Sequence, residues 1–161
     1  MGSSPTGPGL RVIGLWAGKA PVGLRLMHEY VIARGVIDSL LKAVSGSGRR
    51  IRDFRVVVGE LSMLNMELLN EALTRLLEAS ELRGAGFRME VEPASVGCGS
   101  CGFSMSFREA VSGLSEEEKE MIHFIPDLLA SYTSCKRCGS LDLRIVSGRG
   151  VSVRDVSILE Q

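Results

Sequence analysis

Two C-x-x-C pairs, CGSC (Cys98, Cys101) and CKRC (Cys135, Cys138), each followed by a glycine, constrain this chain more than any other feature in it. A two-residue gap lets both thiolates reach one tetrahedral Zn2+ at about 2.3 Å while backbone N–H groups turn toward the sulfurs, and the glycine relieves the tight turn. Four sulfurs leave no open position. The spacing therefore predicts a structural metal, in a module expected to be too small for a core of its own. Two other readings use the same residues. A pair of disulfides requires export, and a dithiol redox centre normally sets a single C-x-x-C at a helix start in a βαβ context.

The pairs are separated by 33 residues, more than the roughly 15 to 20 of a simple ribbon, so something folded fills the gap. Ser115 and Glu118 have capping-box spacing, and Glu116 and Glu117 suit the positive end of a helix dipole, which predicts a short helix over SEEEKEMIHF. Pro126 ends it and opens a second, PDLLASY, that leads to Cys135.

On either side the hydrophobic pattern is regular. Ile32, Val36, Ile37, Leu40, Leu41 and Val44 share one helical face, and Gly46 follows as a stop. Phe54, Val56 and Val58 alternate in DFRVVVGE, a strand. Asn65 is placed to cap a second helix carrying Leu69, Ala72, Leu73, Leu76 and Leu77. Phe87, Met89 and Val91 alternate up to Pro93, as do Leu141, Leu143 and Ile145 and then Val151 and Val153. Val156 and Ile158 lie on the opposite parity, which predicts a bulge near Arg154-Asp155.

These elements predict an α+β fold, two helices packed on a small mixed three-stranded sheet, with an inserted zinc-ribbon-like domain containing a helical segment. The expected boundaries are 27–94 plus 140–161 for the α/β domain and 95–139 for the zinc domain. Residues 1–26 hold six Gly, three Pro, three bases and no acid, and read as an extension without structure.

Charge and hydropathy narrow the function. Nineteen bases balance nineteen acids, so no global field holds a nucleic-acid backbone. No apolar run approaches the roughly 18 residues of a membrane span, and Val12 to Gly18 is too short, with the wrong flanks, for a signal peptide. A cytoplasmic protein without a nucleic-acid or membrane partner is expected. In that reducing compartment its four cysteines point to metal.

The chain has two histidines, His28 and His123. Either alone more often caps a helix or packs than binds a ligand. Their setting carries more. Met27-His28-Glu29 opens a helix, VVVGELS follows at 56–62, then a Leu-rich helix, a strand, C-x-x-C-G twice and a closing strand after a GRG turn. This order resembles the HypA family of hydrogenase-maturation nickel metallochaperones over residues 27–161, and the insertion with IHFIPD at 122–127 looks like the archaeal branch.

The resemblance implies a non-enzymatic carrier with a nickel-binding α/β domain and a zinc domain. Such a carrier delivers Ni2+ to the precursor of the [NiFe] hydrogenase large subunit with the nucleotide-hydrolysing partner HypB. It assigns zinc to Cys98, Cys101, Cys135 and Cys138, and nickel to Met27, His28 and Glu29. A free amine, the next amide nitrogen and an imidazole form fused chelate rings, a tetragonal nitrogen set that suits Ni(II). His123 is the candidate fourth donor, and Glu29 is expected to support the site or a partner contact. Gly59-Glu60, in the family's GEL turn, has a structural reading.

The amine exists only if Met27 begins the chain. The abrupt change of pattern there favours that start, which would leave residues 1–26 untranslated. Two rivals remain at this level: a zinc-ribbon nucleic-acid-binding module, which would need a basic aromatic face where Lys136 and Arg137 are offset by the acids between Glu109 and Glu120, and a cysteine oxidoreductase.

Overall fold

Helix α1 (Val22–Val44) buries Ile32, Ala33, Val36, Ile37 and Leu40 along one face, the i, i+4 stripe that an amphipathic helix turns inward. The computed structural model describes the backbone at Arg11–Val12 and over 22–159, and side chains from 28 to 159. Most of the expected extension, residues 1–10 and 13–21, lies outside the described residues. Where it is described, it contributes a two-residue strand β1 (Arg11–Val12) and the first turns of α1. The helix thus begins at Val22 rather than at His28, because Leu24, Arg25, Leu26 and Met27 all favour helix and outweigh the single Gly23 in its first turn. Gly46 ends it at φ +70, a left-handed conformation that costs glycine little.

Strand β2 (Arg50–Gly59) follows, and Asn65 then caps α2 (Met66–Glu78) by accepting the Leu68 N–H at 3.0 Å. Strands β3 (Gly86–Glu92) and β7 (Val151–Leu159) flank β2, and β1 adds a short fourth strand beyond β7. β7 runs antiparallel to β2, from Val58 opposite Val151 to Arg50 opposite Leu159. Along β3 the neighbours advance with β2: Gly86 lies by Asp53 and Glu90 pairs with Arg55 at 2.7 Å. That is the sense of parallel strands joined by a crossover helix, and it makes the sheet mixed.

The expected bulge is present. Arg55 faces Arg154 and Asp53 faces Ser157, so β7 carries one extra residue there, with Asp155 at φ 51. The Asp155 carboxylate pairs with Arg55 and holds the bulged residue. Leu40, Leu69 and Leu73 are fully buried between the helices and the sheet, each stabilising by about 1.5–3 kcal/mol relative to exposure.

A second compact unit comprises Gly59–Met63 and Val91–Arg149, while the first comprises the chain up to 58, 64–90 and from 150 onward. The second has its own sheet, β5 (Ser104–Ser106), β4 (Ser95–Cys98) and β6 (Leu143–Ser147) in that order. Around it lie α3 (Phe107–Val111), α4 (Glu116–Phe124) and a 3-10 turn at Pro126–Leu128 that runs into α5 (Leu129–Tyr132). Two sequence expectations differ here. The strand at 143–147, set in the α/β domain by the boundary at 140, pairs instead with β4; alternation marks a half-buried strand but not its sheet. The module also has a core, since Leu61, Val96, Met105, Phe107, Ile122, Leu129 and Leu143 are buried together.

Candidate metal sites

The four cysteines converge. Their sulfurs all lie within 4.8 Å of one another, with Cys98 to Cys138 at 3.6 Å and Cys101 to Cys135 at 3.7 Å. A tetrahedral ion with Zn–S bonds of about 2.3 Å places its sulfurs about 3.8 Å apart, so the set fits Zn2+. Each pair forms the same knuckle. In the first, Cys98 N–H donates to the Phe103 carbonyl at 2.8 Å and Gly102 N–H to the Cys98 carbonyl at 3.0 Å; in the second, Cys135 N–H donates to Ser140 at 2.8 Å and Gly139 N–H to Cys135 at 2.9 Å. Gly102 and Gly139 turn the chain at φ +71 and +74. The Ser100 and Ser140 hydroxyls meet at 2.7 Å and join the two knuckles.

Backbone donors also prepare the thiolates. The Cys138 N–H, with that of Arg137, brings the Cys135 thiol down to about 6, and the Cys101 and Ser100 N–H groups lower Cys98. At Cys138 the lowering hydrogen bond from Ser140 is outweighed by desolvation and the adjacent sulfurs, and its thiol is raised. A cation at the centre relieves that mutual repulsion, and ligation deprotonates all four.

The remaining predicted donors do not form such a cluster. Among the described residues, no other group of three or more His, Cys, Asp or Glu is close enough to share an ion. Met27 lies within α1, with only its backbone described. His28, one residue on, has a buried Nε2 with no hydrogen-bond partner. Glu29 is buried at 5% exposure; its Oε1 accepts the Asn65 N–H at 3.0 Å, and its Oε2 is buried without a partner. The ordinary first-turn dipole role does not apply to Glu29, which lies two turns into α1. His123 is exposed in the last turn of α4, its ring 6.2 Å from that of Phe107.

The GEL turn has the structural role expected. Leu61 N–H donates to the Gly148 carbonyl at 2.9 Å, and the Glu60 carboxylate accepts the Ala94 N–H at 2.8 Å. A Cβ on Gly59 would collide with the Gly148 backbone. Sequence reasoning missed the Ser106–Glu109 capping box that starts α3, although Ser and Glu at that spacing were its visible signal. It also missed the link between Glu29 and Asn65, which only the packing of α1 beside α2 brings about.

A family model described as hydrogenase/urease nickel incorporation metallochaperone, HypA, matches residues 27–158. The chain is similar to the hydrogenase maturation factor HypA of Pyrococcus abyssi, 35% identical over 133 residues, covering 82% of this chain and 96% of that one. The factor of the same name from Thermococcus onnurineus is 33% identical with the same coverage. Among solved structures, a solution structure of a HypA protein aligns with TM-score 0.56 at 18% identity, over 83% of this chain and 97% of that one. The solution structure of the Ni metallochaperone HypA from Helicobacter pylori aligns at 0.52 and 16%, over 83% and 98%.

Proposed function

The chain belongs to the HypA family of nickel-incorporation metallochaperones, carriers rather than enzymes, and from that premise we propose that it binds Ni(II) at the His28 end of α1 and surrenders it during [NiFe] hydrogenase maturation. The observation that carries this reading is the pair of unpartnered buried atoms on consecutive residues, His28 Nε2 and Glu29 Oε2. An unsatisfied buried polar atom costs about 1–3 kcal/mol, and a native structure keeps one where a ligand or a functional role accounts for it. In our reading Ni(II) satisfies the imidazole, and Glu29, tied to Asn65 by one oxygen, braces the site with the other.

Met27 supplies the first donor in a chain that begins there, as the family match does. In the longer chain its nitrogen and that of His28 belong to the helix that starts at Val22. Chelation would then require deprotonating helical amides and unwinding the turn. His123, exposed on α4, is our candidate for the fourth donor.

An open site of separate nitrogen donors releases its cargo by stepwise ligand exchange, which a closed thiolate cage does not allow. The acceptor in this scheme is the precursor of the hydrogenase large subunit, with HypB as the nucleotide-hydrolysing insertion partner. The four cysteines hold Zn2+ as a structural ion, since all four sulfurs face one point and none remains as a free thiol pair.

Nickel titration of chains starting at Met1 and at Met27, each with and without His28→Ala, tests the reading. Tight binding confined to the Met27 chain and lost with His28 supports it. Equal affinity in all four chains overturns it.

A further inference from the structure

A cavity of about 900 Å3 in the first unit lies at the other end of α1 from His28, between the last turn of α1, the loop into β2 and the loop that follows α2. The 16 residues from His28 to Val44 set it about 24 Å away at 1.5 Å per helical residue. Its floor is apolar, with the buried Ile51 and Leu82 beside Leu41 and Val44, and its rim is basic. Lys42, Arg49, Arg50 and Arg83 all line it, and none has an ion-pair partner among the described residues. Arg52 joins them, paired with Asp53 at 2.7 Å, and Glu81 is the one acid on the rim. Among the described residues, the cations of this unit that have no ion pair are therefore gathered around one hollow.

We propose that this cavity docks an acidic, amphipathic segment of a partner protein, its apolar side chains on the floor and its carboxylates against the rim. The alternatives fit less well. A compact phosphate is held by helix N-termini or by free backbone N–H groups in a nest. Here both helices present their carbonyl ends, and the turns use their own donors: Ser47 N–H to Val44 at 3.2 Å, Arg49 N–H to the Ser47 hydroxyl at 3.2 Å, and Ala85 N–H to Leu82 at 3.0 Å. A single-stranded nucleic acid needs aromatic faces for its bases, and no aromatic residue lines the cavity. Cations spread around an apolar floor match carboxylates spread along an amphipathic segment, which would gain encounter rate from the charge and residence time from the floor. The distance from His28 leaves the nickel end of α1 clear while a partner is held. The inference does not require nickel, so it stands or falls separately from the nickel reading.

The test uses the full zinc-loaded chain and a fluorescein-labelled peptide of about twelve residues, three helical turns, with Leu at helical spacing and Glu elsewhere. Anisotropy should show saturable binding that weakens with salt and falls at least about tenfold in the Arg49→Gln, Arg50→Gln, Arg83→Gln variant. Arg108→Gln, at an exposed cation of the other unit, should bind as the parent does, and binding of a peptide with Ser in place of Leu should be lost. All three rim arginines are exposed, and Arg83→Gln alone repeats the test at smaller amplitude if the triple variant unfolds. Absence of saturable binding, or equal binding by the rim variants, overturns the proposal. So does tighter binding of ATP or of a single-stranded oligonucleotide through the same arginines.

Discussion

The Glu29 carboxylate accepts the backbone N–H of Asn65 at 3.0 Å while the Asn65 side chain caps α2. One residue of α1 thus satisfies a donor at the start of another helix, with its second oxygen left over. Glu29→Ala should destabilise the protein by about 1–3 kcal/mol, the cost of losing a part-buried hydrogen bond. Glu29→Gln, which keeps an acceptor oxygen, should cost less. Denaturant unfolding monitored by circular dichroism separates the two, and equal stabilities would remove this role.

In the proposed site, nickel binding and folding should respond to different residues. In a chain that begins at Met27, His28→Ala should lower nickel affinity at least about tenfold with little change in melting temperature. Acidification should also release the ion, since an imidazole must be unprotonated to ligate. If His123→Ala leaves both affinity and absorption spectrum unchanged, that residue is not a donor.

Zinc uptake should release fewer than four protons near neutral pH, although four thiols converge on the site. Cys135, lowered from 9.0 to about 6, is already ionised in the metal-free fold, whereas Cys138 is not. Stability from the lowered thiol is complete above 9.0, shrinks as pH falls, and is gone below about 6. Proton release measured at two buffer ionisation enthalpies by calorimetry gives the count, and release of all four near neutral pH would contradict it.

Gly59 and Gly148 lie against backbone: a Cβ on Gly59 meets Gly148, and one on Gly148 meets Ala94. Neither neighbour has a flexible end to yield. Gly59→Ala should cost about 1–3 kcal/mol through overpacking, and Gly148→Ala more, because Gly148 sits at φ +85. Gly113→Ala, with open space at its Cβ, serves as the neutral control in thermal melts.

Two capping boxes begin helices of the zinc unit, Ser106–Glu109 and Ser115–Glu118, and Ser→Ala at either should cost about 1 kcal/mol. The Ser106 hydroxyl, then its N–H, holds the Glu109 carboxyl below its ordinary 4.5. A lowered acid stabilises fully above its unfolded value and stops doing so as pH falls through the folded one. The Ser106 amide resonance should therefore titrate with a midpoint under 4.5, and a midpoint at or above that value would exclude the box in solution.

Elements with strong period were legible from residues alone. The buried stripe of α1, the Asn65 cap and the bulge at Asp155 all follow from local spacing, and so does the four-cysteine cluster, whose geometry is built into each C-x-x-C-G knuckle. What could not be read depends on contacts between distant residues. Leu143 and Ile145 alternate equally well for either sheet, and only pairing with Cys98 and Val96 decides. Gly59-Glu60-Leu61 continues β2 in sequence, yet its Leu61 side chain is buried in the zinc unit's core. The rim cations come from separate segments, so no window of sequence displays them together.

The chain passes between the two units four times, at 58–59, 63–64, 90–91 and 149–150. Neither unit is a cassette: no single pair of cuts lifts the four-cysteine unit out whole, because residues 59–63 of it are threaded in sequence between β2 and α2. Grafting the four-cysteine module elsewhere as the contiguous stretch 91–149 would leave behind Leu61 and the Gly59 contact. Recombination at such a boundary would yield a fragment that lacks the buried Leu61 of its own core.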